Sequence, residues 1–357
     1  MIWRRRRDAS AEDTTIALAG AGAIAVVHAL AAPVAGGRVV AIASAGGASA
    51  RHLAGQLDDQ HRHDVRHVGV DDLPAGADLL VVATPPPTHA ALALQGLAAG
   101  ADVLVEKPFT TTLADADRLV DAAADADGPI LRCAENLLHA PAWATVTAHR
   151  ATMGPLRHLS ARTLQSPPTW GHFTEPLAAG GVLFDLGPHP LALVMALAGE
   201  PVVAVSAEMS SGRPDGADDD AQVLLRFRSG LEATVDVSWT AGDDEPGTSS
   251  PQAEWALQAA SDDGVVRLEL YPEVLVELDG EPVDVADRHP DAADPLLERM
   301  GYVDQLAHLD SSQTPEAARD VLEVICAAYE SAGRSGAEVA VPFTGDRTLN
   351  PMQLWKG

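Results

Sequence analysis

Lysine is almost missing from this chain. Of its 24 basic residues only Lys107 and Lys356 are lysine, the rest being arginine, so a solitary internal lysine is conspicuous. Cysteine is as scarce: Cys133 and Cys326 lie far apart in apolar patterns, which excludes a disulfide framework and fits buried free thiols in a reducing compartment. Positive charge is in deficit. Against 51 Asp and Glu, the 24 basic residues leave a net charge of −27, a field that repels phosphate backbones and anionic lipid. Nucleic-acid and membrane-surface partners are therefore excluded and small-molecule partners expected. No HExxH motif or Cys/His cluster with ligand spacing is present, so no metal site is expected. Apart from the stretch Ile16 to Ala35, which His28 interrupts, no run approaches the ~18 apolar residues of a membrane span.

What is present suits a globular protein. At 357 residues, 46% hydrophobic and 21% charged, the chain exceeds the ~250 to 300 residues at which a single core stops growing, so two domains are expected. The opening MIWRRRRDAS and the apolar stretch after it superficially resemble a twin-arginine export signal. Asp8, Glu12 and Asp13 separate the two parts, and the stretch reads better as a strand, a glycine turn and a helix. Residues 1–14 are accordingly read as a basic/acidic tail, and a cytoplasmic location is expected.

From residue 15 to 135, short β-branched runs alternate with Ala/Leu-rich helical stretches, the pattern of a Rossmann-type α/β domain with a parallel sheet. Strands are expected at Thr15 to Ala19, Arg38 to Ser44, Asp64 to Gly69, Leu79 to Ala83, Asp102 to Val105 and Pro129 to Cys133. Directly after the first comes Gly20-Ala21-Gly22-Ala23-Ile24-Ala25, a GxGxxA turn that lets main chain approach a pyrophosphate at a helix N-terminus. Ser44 stands where an acidic residue would bind the adenosine ribose, with Arg51 the nearest cation to a ribose phosphate, so NAD and NADP both remain open. Thr84-Pro85-Pro86-Pro87-Thr88-His89 and Glu106-Lys107-Pro108 follow later strands at the same sheet edge. Lys107 reads either as a solvated loop lysine or as a donor to a substrate oxygen that gains charge.

Residues 136–342 change period. Strands at Leu156 to Leu164, Val202 to Met209, Gln222 to Arg228, Leu231 to Trp239, Trp255 to Ala260 and Val265 to Leu270 predict an α+β domain with a large, mostly antiparallel open sheet. Helices at Pro295 to Leu309 and Pro315 to Ala332 and a strand at Glu338 to Val341 should pack on one face, leaving 343–357 as a tail. An uncovered face predicts a homo-oligomer, dimer or tetramer. Within this domain, Gly180-Gly181-Val182-Leu183-Phe184-Asp185-Leu186-Gly187-Pro188-His189-Pro190 places Asp185 and His189 at a helix entry, because Pro188 and Pro190 cannot lie deeper. His189 reads either as a capping or core histidine or as an acid–base group oriented by Asp185.

In order, ALAGAGAIAVVHA, DLLVVATPPPTHAALALQGLAAGADVLVEKP, AAGGVLFDLGPHPLALVMALAG and GYVDQLAHLDSSQTPEAARDVLEVICAAYESA resemble the glucose-fructose oxidoreductase, inositol dehydrogenase and MocA (Gfo/Idh/MocA) family over nearly the whole chain. The resemblance implies an NAD(P)-dependent oxidoreductase that moves hydride between nicotinamide and a secondary alcohol or carbonyl of a sugar, cyclitol or related molecule. It implies catalytic roles for Lys107, Asp185 and His189, and nucleotide contacts from Gly20, Gly22, Ala23, Ile24, Ser44, Thr84, Pro85, His89, Glu106 and Lys107. Asn136 matches a substrate-side position, and Trp170 and His172, in the loop before the glycine pair, are candidate substrate contacts. Two departures stand out: Ala179 replaces the first of three glycines, and Ala192 stands where the family often has Asp. An NAD-dependent glycoside hydrolase of this fold, or a nucleotide-binding sensor or scaffold without turnover, are the alternatives.

Overall fold

The computed structural model describes residues 14–61, 64–168, 173–174, 179–212, 216–240, 253–286, 288–289 and 294–357. They divide into two compact units, one drawn from 1–110, 115–140 and 287–318, the other from 111–114, 141–286 and 319–357. In chain order the first part gives β1 (Thr14–Ala19), α1 (Ala23–Val34), β2 (Gly37–Ala43), α2 (Ala48–His61), β3 (Arg66–His67), β4 (Leu79–Val82), α3 (His89–Ala98), β5 (Asp102–Glu106), α4 (Leu113–Ala122) and β6 (Leu131–Ala134). The six strands form a sheet in the order β3-β2-β1-β4-β5-β6, every neighbour parallel. β4 is Leu-Leu-Val-Val and buried throughout, as a strand covered on both faces requires. Strand order reverses at β1 and β4, where the carboxyl edge of a doubly wound sheet opens to a ligand. Gly20, Ser44 and Lys107 each follow directly on a strand at that edge, and Thr84 lies two residues beyond β4.

The next elements are α5 (Pro141–Arg150), β7 (Leu156–Leu164), α6 (Val182–Asp185), α7 (Pro188–Ala198), β8 (Val202–Ser210), β9 (Asp220–Phe227), β10 (Glu232–Ser238), β11 (Glu254–Ser261), β12 (Val265–Tyr271), β13 (Leu275–Leu278) and β14 (Glu281–Val283). After them come α8 (Pro295–Arg299), α9 (Tyr302–Ala307), α10 (Pro315–Gly333), β15 (Val339–Ala340) and α11 (Pro351–Lys356). Nine strands make the second sheet, ordered β14-β13-β12-β11-β7-β10-β9-β8-β15. All pairs are antiparallel except β7 with β10. Its strands alternate as a sheet covered on one side should: in β9, Ala221, Val223, Leu225 and Phe227 are buried while Gln222, Leu224 and Arg226 are exposed. α5 packs on β12 and β13, α6 on β9 and β10, and α7 on β7 and β10. The opposite face carries charged and polar pairs such as Arg267 with Glu277 and Gln222 with Asp236.

Four expectations are corrected. The helix expected from Pro295 to Leu309 is two helices broken at Gly301, whose φ is +83° and whose side-chain position would lie 2.2 Å from the Asn136 carbonyl oxygen. Main chain runs so close there that a longer uninterrupted helix has no room. Residues 287–318 cluster with the first unit because Leu297, Val303, Leu306 and Leu309 fill the core that Ile16, Leu18, Ala25 and Ala29 also line. β13 and β14 were not expected, although Asp279-Gly280, both at positive φ, is a tight hairpin signal. The segment 343–357 is no simple tail: it ends in α11, which Asn350 and Gln353 cap reciprocally.

One buried histidine makes the first unit acid-sensitive. His139 pairs its Nε2 with the Ser312 hydroxyl at 3.0 Å, and burial pushes its pKa down from 6.5 to about 4 against the pull of Asp304. Below pH 6.5 the unfolded chain takes up a proton that folded His139 refuses until about pH 4, so stability is complete above the unfolded value and is lost as pH falls through this window. The loss approaches roughly 3 kcal/mol at full titration. Urea unfolding at a series of pH values should show it, and His139→Asn, which has no ring to titrate, should flatten the dependence, so that the wild-type-minus-variant difference falls by about that amount as pH drops through the window.

Candidate nucleotide edge and acid–base turn

At the edge of the parallel sheet, the turn after β1 is shaped by a lack of space. Gly20 has φ +113°, and a side chain there would meet the Ala83 carbonyl oxygen at 2.2 Å. Its N–H donates to the Ala43 carbonyl at 2.8 Å, so three strand ends meet at one residue that only glycine can be. Gly22 differs: it is exposed, N-caps α1 without a side-chain cap, and a side chain there would touch no atom within 4 Å. Open space beside uncapped N–H groups of a long helix fits the pyrophosphate of a dinucleotide. Ala23 and Ile24 follow on the first turn of that helix, and the buried Ala25 replaces a third glycine without crowding.

Ser44 accepts from the Ser49 hydroxyl at 3.0 Å and the Ala50 N–H at 3.2 Å, tying the end of β2 to α2. The Arg51 guanidinium lies over Gly47. Thr84 and the exposed Pro85 open the loop after β4, where Thr88 donates to the Thr84 hydroxyl at 2.7 Å. His89 is fully buried, with Nδ1 3.0 Å from the Pro108 carbonyl and Nε2 2.8 Å from the Thr84 carbonyl. The ring thus lies between carbonyls of the loops after β4 and β5 and ties the two loops together. Burial lowers its pKa, while the two carbonyls and the Glu106 carboxylate pull the other way.

Glu106 is buried and joins His28 of α1, Oε1 to Nε2, at 2.7 Å; its Oε2 accepts the Lys107 N–H at 3.1 Å. The glycine-turn helix and the lysine loop therefore share one buried acid. Sequence reading missed His28, although a histidine inside an otherwise apolar helix was the available signal. Asn136, matched to a substrate-side position, is buried and donates to the Met300 carbonyl at 2.7 Å, so its amide stitches the first unit together. Trp170 and His172 lie outside the described residues.

In the second unit, Asp185 ends α6 and His189 is the second residue of α7; both are buried. The backbone between them turns tightly, with Gly187 donating to Leu183 and Leu191 donating to Gly187. Trp255 of β11 lies against the His189 ring, centroids 5.6 Å apart and planes at 34°, a neighbour that sequence reading placed only in a strand. The turn thus brings a carboxylate and an imidazole, the residue types of an acid–base pair, to one helix entry. Ala192, where the family often has Asp, is buried and adds no polar group.

Comparison with known proteins fits this geometry. A model described as the oxidoreductase family, NAD-binding Rossmann fold, matches residues 14–131, and one described as the GFO/IDH/MocA C-terminal domain matches residues 148–264. Inositol 2-dehydrogenase 4 of Saccharopolyspora erythraea is 29% identical over 167 residues, 45% of this chain and 47% of that protein. The 1,5-anhydro-D-fructose reductase of Ensifer adhaerens is 32% identical over 177 residues, 46% of this chain and 51% of that protein. The chain spans about half the length of the curated relatives it matches. Among solved structures, GenD2 from gentamicin A biosynthesis in complex with NAD is 26% identical, covering 92% of this chain and 97% of its own at a TM-score of 0.76. A levoglucosan dehydrogenase complex with NADH and L-sorbose, at 19% identity and TM-score 0.73 over 93% of this chain and 100% of its own, shares the fold.

The two glycines separate folding from binding. Gly22→Ala should leave urea stability within about 1 kcal/mol of wild type and weaken NAD+ binding at least tenfold in a fluorescence titration. Gly20→Ala should instead lose about 2 to 4 kcal/mol of stability, because a methyl group collides with main chain at strained φ. Wild-type affinity in Gly22→Ala would place the nucleotide elsewhere.

Proposed function

The chain belongs to the Gfo/Idh/MocA oxidoreductase family, and from that premise we propose that it moves hydride between nicotinamide and a secondary alcohol or carbonyl of a sugar, cyclitol or related small molecule. The observation that carries this reading is the buried Asp185 and His189 turn in a chain whose other unit is an NAD-binding fold. When bound, the nicotinamide supplies the hydride acceptor for oxidation and the donor for reduction. The His189 imidazole takes the hydroxyl proton as the carbinol is oxidised and returns it in the reverse direction. Asp185 orients the ring and balances the charge that the ring acquires. Lys107 donates to the substrate oxygen while alkoxide character develops there, and Glu106 fixes the backbone of Lys107. Relatives named for inositol and anhydro-fructose support a polyhydroxylated substrate.

Ser44 places no carboxylate against a ribose phosphate, so NAD and NADP both fit this reading. The face of the nine-stranded sheet opposite α5, α6 and α7 is the surface proposed for a homo-oligomer. Both cysteines are free and buried, which suits a cytoplasmic protein, and among the described residues no helix is long and apolar enough to cross a membrane.

The test is turnover against a panel of aldoses, cyclitols and polyols with NAD+ and NADP+, followed by reduced-nicotinamide absorbance. His189→Ala and Lys107→Ala should each lower kcat by about 10²- to 10⁴-fold with NAD+ affinity nearly intact. Unchanged turnover in both variants would remove the assignment.

A further inference from the structure

Asp218 lies outside every motif of the sequence, yet it holds the start of the Asp185/His189 turn. Its side chain is completely buried. Oδ1 accepts the Gly181 N–H at 3.0 Å and the Tyr329 hydroxyl at 2.6 Å, and Oδ2 accepts the Leu183 N–H at 2.9 Å. The Asp218 main-chain carbonyl accepts the Val182 N–H, also at 2.9 Å. Three successive donors at the start of α6, which have no partner inside their own helix, are thus satisfied by one residue 35 to 37 positions away. Gly181 itself offers no capping side chain and has no room for one, since a side chain there would lie 2.4 Å from both Asp218 Oδ1 and the Asp218 carbonyl oxygen.

Tyr329 of α10 completes the clamp. Besides donating to Asp218, its hydroxyl accepts the Gly181 N–H at 2.9 Å, and the ring is buried. The C-terminal segment backs it: Trp355 of α11 meets the Tyr329 ring edge-on at 6.4 Å, and Met352 donates to the Ala179 carbonyl at 3.0 Å. From this anchor the turn is wound by local bonds, Asp185 N–H to Gly181, Leu186 to Val182 and Gly187 to Leu183. A displacement at Gly181 therefore travels directly to Asp185 and to the helix that begins with Pro188 and His189. Burial raises the pKa of Asp218, while the N–H and hydroxyl donors oppose that rise; the bonds found are those that an ionised carboxylate accepts.

We propose that Asp218, seated by Tyr329, is a positioning residue that sets the aim of Asp185 and His189, so that its loss is felt in the chemical step and not in nucleotide binding. The inference rests on the acid–base reading of that pair. Its chemistry is specific to a carboxylate. In Asp218→Asn one oxygen becomes an NH2 group and must face an N–H or hydroxyl donor, so the volume is kept but a bond is lost and a donor confronts a donor. Tyr329→Phe removes the hydroxyl and changes no charge.

The full-length variants Asp218→Asn, Tyr329→Phe and His189→Ala are compared with wild type, using NAD+ and the panel alcohol that wild type oxidises fastest. Asp218→Asn should lower kcat by about 10²-fold and Tyr329→Phe by about tenfold, the penalty of a misaimed group. KM for the alcohol and the NAD+ dissociation constant should move less than about threefold, the split expected when only transition-state contacts are lost. The pH profile of kcat should change shape in both variants, and amide hydrogen exchange should accelerate at residues 181–189. If Asp218→Asn does not fold, Tyr329→Phe decides alone. Wild-type kcat and pH profile in the folded variants, with His189→Ala impaired, overturn the inference and leave the acid–base reading standing. Wild-type turnover in His189→Ala overturns both.

Discussion

Close approach of main chain to main chain, at positions where a side chain cannot fit, governs both chemically loaded turns of this protein. At Gly20 the end of β1 passes against the carbonyl of Ala83, and at Gly181 the entry of α6 passes against Asp218. In each case the missing side chain lets backbone donors reach partners that a larger residue would hold off: Ala43 in the first, the carboxylate and Tyr329 in the second. Backbone so confined has little freedom to drift. Rigid presentation of this kind is what a hydride donor or acceptor and an acid–base group both need, since rate depends steeply on alignment.

Buried acids carry the second layer of organisation. In a chain with net charge −27, burying any carboxylate is costly unless its lone pairs are met. Glu106 is met by His28 and by the Lys107 N–H, and Asp218 by three donors from other residues. Asp304 is met by Arg288 and His289. Glu106 sits one bond from Lys107, and Asp218 holds Gly181, to whose carbonyl the Asp185 N–H donates. Their matched environments hold Lys107 and the Asp185 turn in place, which ties the electrostatics of the fold to its function.

The parts of the fold set by local pattern were legible in the sequence. Six parallel strands, the glycine turn after the first and the Pro-flanked entry to His189 follow from short-range rules on period, glycine and proline. The partners that arrive from far along the chain were not. Tyr329 lies 148 positions from Gly181, and His28 lies 78 from Glu106, separations that no periodicity reports. His89 was legible as a residue near the nucleotide edge, but not as one whose ring lies between two main-chain carbonyls. Asn136 likewise matched a family position, while its amide is held by Met300. The break at Gly301 and the Asp279-Gly280 hairpin were marked by glycine in the sequence, and each became clear only where backbone φ was known.

Direct hydride transfer is best tested by following the hydrogen itself. Aldoses and cyclitols deuterated on carbon are incubated with the protein and NAD+, and the recovered nicotinamide is analysed by mass spectrometry. Direct transfer predicts deuterium at the nicotinamide ring with none lost to water. Oxidised product formed without label on the nicotinamide, or no labelled nicotinamide from any compound while NAD+ is bound, would contradict it.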